Sequence, residues 1–237
     1  MTATHTALLQ HPIELIIFDC DGVLIDSEVL SKRVLLHMLF ELGVQVSDTY
    51  FESHFLGHSF EHVKAKILAD YGLTLASSFA QDYQTELMQA FTLQLKPTVE
   101  LEWMLPLLNV PYCVATSSSV QRVNRALSMT NLRHYFGSHV FTACEVENGK
   151  PAPDLFIHAA SKMGIHPKNC LVIEDSQAGI QGAQAANMQV IRYAGASHMQ
   201  KYTNASAPEP DSVITINHWQ KLYELAPLLR SSSDTKR

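Results

Sequence analysis

The chain has 237 residues, enough for one or two domains with a sizeable buried core. Hydrophobic residues make up 46 % and charged residues 17 %, which excludes a disordered or fibrous chain. Lys and Arg number 17 against 23 Asp and Glu, a formal charge of −6 with no basic stripe, which argues against nucleic acid, and no apolar run reaches membrane-spanning length. Residues 1–11 read as a loose leader without the basic stretch and hydrophobic core of a secretory signal. The run 13–18 is apolar throughout, as suits a strand buried on both faces of a parallel sheet. From 27 to 96 no strand is evident. Three amphipathic helices are predicted there, over 28–42, 59–71 and about 77–95. Ser27 and Gly43 cap the first, Gly72 ends the second and Pro97 closes the third. Beyond residue 98, short apolar runs at 112–115, 140–142, 171–173 and 190–192 alternate with helical stretches at 119–129, 154–163 and 176–186. Strand alternating with helix indicates an α/β fold, a doubly wound, Rossmann-like parallel sheet. The expected division is a core domain over 12–27 and 97–230, an inserted α-helical domain over 28–96, and flexible termini at 1–11 and 231–237. An insert after the first strand overhangs the edge where open α/β sheets bind ligands. Cys20, Cys113, Cys144 and Cys170 sit singly, with no CxxC pair, which favours a reducing, cytoplasmic setting.

Four segments carry chemistry. In Phe18-Asp19-Cys20-Asp21-Gly22 an apolar strand delivers two carboxylates where it ends, and Gly22 allows a tight turn. Two carboxylates on buried backbone repel, so a cation should neutralise them. A second strand ends in Glu174-Asp175-Ser176, where Ser176 can cap the next helix. Two strands ending in acids suit a hard divalent ion such as Mg2+, which takes one or two carboxylates plus waters and substrate phosphate. Thr116-Ser117-Ser118-Ser119 place hydroxyls and backbone N–H groups before a helix, either as an anion cradle or as ordinary capping. In Gly149-Lys150-Pro151-Ala152-Pro153-Asp154 two prolines stiffen the loop that follows Lys150, and a lysine held at the mouth of an acidic site suits an anionic ligand.

In order, the four segments resemble the motifs of the haloacid dehalogenase superfamily, over roughly residues 13–193. The helical insert resembles the C1 cap of its phosphatase and phosphomutase branch. The segments from Gly149 and from Glu174 are similar to β-phosphoglucomutase and its phosphatase relatives, and Phe-Asp-Cys-Asp-Gly followed by Asp26-Ser27-Glu28 to 6-phosphogluconate phosphatase-type enzymes. The resemblance implies a Mg2+-dependent phosphatase for a small phosphorylated metabolite, a sugar phosphate or sugar-acid phosphate. Asp19 would be the nucleophile that forms an aspartyl-phosphate, and Asp21 the general acid and then base. Mg2+ would bind the Asp19 carboxylate, the Asp21 backbone carbonyl and Asp175, with Glu174 behind them or bound through water. Thr116 and the Ser117 N–H would hold phosphoryl oxygens, and Lys150 would neutralise the transferring group. Asp26 would be a conformational residue. No nucleic-acid, membrane or obligate protein partner is implied. The carboxylate at Asp21 excludes the halide-cleaving members, which lack it.

The rival reading is a phosphomutase on the same core. In the β-phosphoglucomutases a cap arginine for a second phosphate follows a serine that matches Ser59; this chain has Phe60 there. A non-catalytic binding protein is disfavoured because both aspartates are present. His54, His58 and His62 recur every four residues, but Gly57 interrupts them and no cysteine pair or HExxH supports zinc. His58 is a candidate substrate contact. Cys20 is expected to pack rather than react.

Overall fold

The structure, a computed structural model, describes residues 11–55, 60–199 and 213–231. In chain order the elements begin with β1 (Leu15–Phe18). They continue with α1 (Glu28–Glu41), α2 (Asp48–His54), α3 (Phe60–Tyr71), α4 (Phe79–Gln94) and α5 (Leu101–Met104). Next come β2 (Tyr112–Thr116), α6 (Val120–Met129), α7 (Arg133–Phe136), β3 (Val140–Thr142) and α8 (Asp154–Met163). The chain finishes with β4 (Cys170–Glu174), α9 (Gln177–Ala185), β5 (Gln189–Tyr193), β6 (Ile214–Ile216) and α10 (Gln220–Leu225). Two compact units result: Met1–Asp26 with Lys96–Arg237, and Ser27–Leu95.

In the first unit six strands form one parallel sheet in the order β3-β2-β1-β4-β5-β6. The chain winds outward from β1 on one side, then returns to start β4 beside β1. The strand order therefore reverses between β1 and β4, where open α/β sheets hold their ligands. Continuous apolar strands fit this place because both faces are covered. One face presents Leu15, Ile17, Cys113, Ala115 and Val172 to Leu155, Phe156 and Ala159 of α8 and Ala183 of α9. On the other face the Phe18 ring meets Tyr112, Phe136 and Trp219 edge-on, with centroids 5.9–6.4 Å apart. Such aromatic pairs add about 0.5–1.5 kcal/mol each beyond the area they bury.

The helical unit has its own core, built from Leu35, Leu39, Phe51, Phe55, Val63, Ile67 and Phe79. Phe60 stacks on Phe79 and Tyr83, at 6.0 and 6.1 Å between centroids. Two expectations need correction here. Ser27 makes no side-chain cap, because its backbone is already helical and its carbonyl accepts from Leu30 and Ser31. A fourth helix, α2, is present where none is predicted. Its only buried residue is Phe51, so it shows no apolar period, yet Ser47 caps it by accepting from Tyr50 N at 3.2 Å. Gly43 follows α1 at φ +81°, a left-handed geometry that glycine adopts without strain, and donates to Phe40 O. His54 ends α2 and His62 lies in α3, so they belong to separate helices, and His58 falls outside the described residues. Also missed are the short helices α5, α7 and α10 and the strand β6, which is three residues long with Thr215 exposed, too short for a periodic signal. Among the described residues no helix is long and apolar enough to cross a membrane.

Candidate active site

The carboxyl ends of β1, β2 and β4 bring the sequence-predicted residues together. Asp19 follows β1, and its N–H donates to Ile173 O at 2.9 Å, which prolongs the pairing with β4 by one residue. The chain then turns sharply. The Cys20 carbonyl accepts from Leu24 and Ile25, and Gly22 sits at φ +78°. A Cβ at Gly22 would lie 2.0 Å from Asp175 Oδ2, so glycine is required by the neighbour as well as by the backbone.

Lys150 is the hub of the site. Its Nζ donates to Asp19 Oδ1 at 2.5 Å and to Glu174 Oε1 at 2.6 Å, and all three side chains are less than a tenth exposed. The loop behind it carries a cis bond between Lys150 and Pro151, and its turn is closed by Ala152 N donating to Gly149 O. Glu174 Oε2 accepts from Ser176 N at 2.8 Å and from Ser176 Oγ at 3.0 Å. Both Glu174 oxygens are therefore held within the chain, one aiming Lys150 and the other anchored at the start of α9. Ser176 also caps α9 by accepting from Gly179 N.

Gly179 packs directly on this carboxylate: an added Cβ would lie 1.7 Å from Glu174 Oε1. Alanine normally stabilises a helix interior over glycine by about 1 kcal/mol. Here Gly179→Ala is expected to destabilise the chain instead, by about 1–3 kcal/mol of overpacking. A lowered urea midpoint checks this, and an unchanged or raised one contradicts it.

Asp21 has different side-chain partners from Asp19. Its Oδ2 accepts from Ser118 Oγ at 2.6 Å and its Oδ1 from Arg122 Nη2 at 2.9 Å. Thr116 is buried at the end of β2, and its hydroxyl accepts from Ser118 N at 3.1 Å, while Ser117 is exposed. Ser118 lies in the hydroxyl run that the sequence marks, though without the contact to Asp21, whereas Arg122 and His198 are not marked there. Arg122 stands three residues beyond Ser119, which caps α6 by accepting the Arg122 N–H.

The electrostatics ask for more positive charge. Burial, together with the nearby Glu174 and Asp175 carboxylates, pushes the Asp19 carboxyl well above the ordinary aspartate range, although Lys150 opposes this. Burial by itself would depress the Lys150 ammonium. Asp19 and Glu174 outweigh it and hold the group above the ordinary lysine range. Asp19, Glu174 and Asp175 each offer an oxygen within 4.8 Å of the others. Three carboxylates facing one ammonium leave two negative charges when the His198 imidazole is neutral. A divalent cation with oxygen preference fits that deficit. Cys20 is buried, and burial with the charges of Asp21 and Asp19 raises its thiol, which keeps it an inert packing group.

Comparison with known proteins agrees with this geometry. The sequence model of the haloacid dehalogenase-like hydrolases matches residues 13–187. The 6-phosphogluconate phosphatase of Escherichia coli is 28 % identical over 214 residues, covering 90 % of this chain and 94 % of that enzyme. The fructose-1-phosphate phosphatase of Escherichia coli is 32 % identical over 184 residues, covering 74 % of this chain and 94 % of that enzyme. Among solved structures, a conserved haloacid dehalogenase-like protein from Agrobacterium tumefaciens superposes with a TM-score of 0.78 at 31 % identity, covering 91 % of this chain and 98 % of its own.

Proposed function

The chain belongs to the haloacid dehalogenase-like hydrolases, and from that premise we propose that it is a Mg2+-dependent phosphatase of small sugar phosphates or sugar-acid phosphates such as 6-phosphogluconate. The observation that carries the proposal is the buried cluster in which Lys150 bridges Asp19 and Glu174 beside Asp175. Asp19 is the nucleophile: its carboxylate attacks phosphorus, an aspartyl-phosphate forms and the sugar oxygen leaves. Asp21 gives the leaving oxygen its proton, then takes one from the water that cleaves the aspartyl-phosphate and releases phosphate. Splitting the displacement this way replaces one very slow hydrolysis by two faster steps. Arg122 and Ser118 each donate to Asp21 and so fix the orientation of its carboxylate. Asp19, Asp175 and the Asp21 carbonyl would hold Mg2+, which supplies charge neutralisation on the transferring group. Thr116 and the Ser117 N–H would bind its oxygens, and Lys150 is aimed at Asp19, whose negative charge it neutralises before attack and again when the carboxylate leaves in the second step.

The sugar-acid preference rests on the Escherichia coli relative that aligns over nearly the whole chain. Hydrolysis over phosphomutase chemistry rests on Phe60. It is packed against Phe79 and Tyr83 and offers no charge to a second phosphate.

A panel of phosphorylated metabolites, assayed for phosphate release with and without Mg2+, tests the proposal. Mg2+-dependent release, highest on a sugar-acid or sugar monophosphate, is expected. No release from any compound, aryl phosphates included, overturns it. Isomerisation of β-glucose 1-phosphate in the presence of a bisphosphate primer would replace it with the mutase.

A further inference from the structure

The segment after β5 brings a histidine into the site. His198 Nε2 lies 3.1 Å from Asp175 Oδ2, and both side chains are about nine-tenths buried. His198 reaches this place on a short turn, Ser197–Met199, that is itself tied down. Ser197 N donates to Asp26 Oδ1 at 3.1 Å, and Ser197 Oγ donates to Asp26 Oδ2. The space on the near side is closed by Gly22, where a Cβ would touch both Asp175 Oδ2 and His198 Cε1.

Resting on the cation site proposed above, we propose that His198 is a positioning residue for the divalent cation, acting through Asp175. A carboxylate on a single χ2 torsion rotates freely unless one oxygen is fixed. An Nε2–H donated to Oδ2 fixes the plane of the Asp175 carboxylate relative to Asp19 before any ion arrives. Partners of this kind, one step behind the ligands, change metal affinity by about 10–100-fold when removed. Asp26 extends the arrangement by one link: it holds the turn that holds the imidazole. Two polar contacts between groups far apart in sequence, Asp26 to Ser197 and His198 to Asp175, are thus joined through the peptide link between Ser197 and His198.

Mn2+ binding to the substrate-free protein, read by the loss of the EPR signal of free Mn2+, tests this without turnover. His198→Ala is expected to raise the Mn2+ dissociation constant by about tenfold or more. His198→Gln keeps an N–H donor at similar reach and is expected to recover most of the affinity. Thermal midpoints in EDTA should be alike for the three proteins. His198→Ala that binds Mn2+ as tightly as the parent overturns the inference. So does equal loss in the Ala and Gln variants with a fallen midpoint in EDTA, the mark of simple packing. A parent chain that binds no Mn2+ overturns the cation site itself, and this role with it. Parent binding with an unaffected His198→Ala overturns the positioning role alone.

Discussion

Asp19→Asn is expected to bring phosphate release down to background, a loss of at least about 10⁴-fold, because in the proposed mechanism Asp19 is the attacking carboxylate. The same substitution is expected to make the cation-free protein more stable at neutral pH. The Asp19 carboxyl is raised above its ordinary value by burial and by Glu174 and Asp175. A raised folded-state value means that the folded chain holds this proton more tightly than the unfolded chain. The stabilisation is complete below the ordinary aspartate range and is lost as pH climbs from there through the raised value. At pH 7 in EDTA the ionised group is a net cost, and the isosteric amide removes it. The thermal midpoint should rise by about 2–4 °C for each kcal/mol regained in a chain of this size. The gain should shrink as pH falls toward the ordinary aspartate range. It should shrink as well on adding Mg2+, which stabilises the parent by binding its folded form. Thermal scans of both proteins in EDTA at several pH values check this. Equal midpoints at pH 7 would show that Lys150 already compensates Asp19 completely.

Lys150→Met carries the second large effect, with the opposite sign on stability. The methionine keeps most of the volume and removes the charge, so the loss reports electrostatics rather than a cavity. Asp19 and Glu174 would then face each other at the site with no ammonium between them. Breaking a buried pair by deleting one partner typically costs about 3–5 kcal/mol, because the remaining charge stays desolvated. Urea unfolding in EDTA at pH 8 should show a deficit of that size. Lys150 is held above the ordinary lysine range, so it keeps its charge through neutral pH and its contribution is lost as pH rises into the alkaline range. In acid the deficit should shrink for a separate reason, because the partner carboxylates take up protons and no longer need a counter-charge. In an Asp19→Asn background the cost of Lys150→Met should fall, since one of the two charges it neutralises is gone. Catalysis should drop by about 10²–10³-fold, the usual loss when one stabilising donor of a transition state is removed. A Lys150→Met chain as stable as the parent at pH 8 contradicts the role of Lys150 as a buried counter-charge.

The sequence alone determined the strands of the core, their alternation with helices, and the acids at their ends. Continuous apolar runs ending in Asp19 and in Glu174-Asp175 state both that a strand is buried on its two faces and that its carboxyl end carries charge. Local rules suffice for that, because periodicity and turn residues act within a few positions of the chain. They suffice less well for α2, whose single buried residue makes no pattern, and for β6, which is three residues long. The tertiary structure decided which group faces which. Asp21 turns to Ser118 and Arg122, about a hundred residues away, whereas Asp19 meets Lys150. Glu174 has one oxygen on Lys150 and the other on Ser176, so its placement beside the acids is that of an orienting group. His198 reaches Asp175 from the turn that follows β5, which Asp26 holds. Nothing in the local chemistry of Ser197-His198-Met199 marks it for that place. Pairings of this kind arise only when β2 and β4 pair on either side of β1, because the partners are then brought within reach by packing against a common core and not by their spacing along the chain.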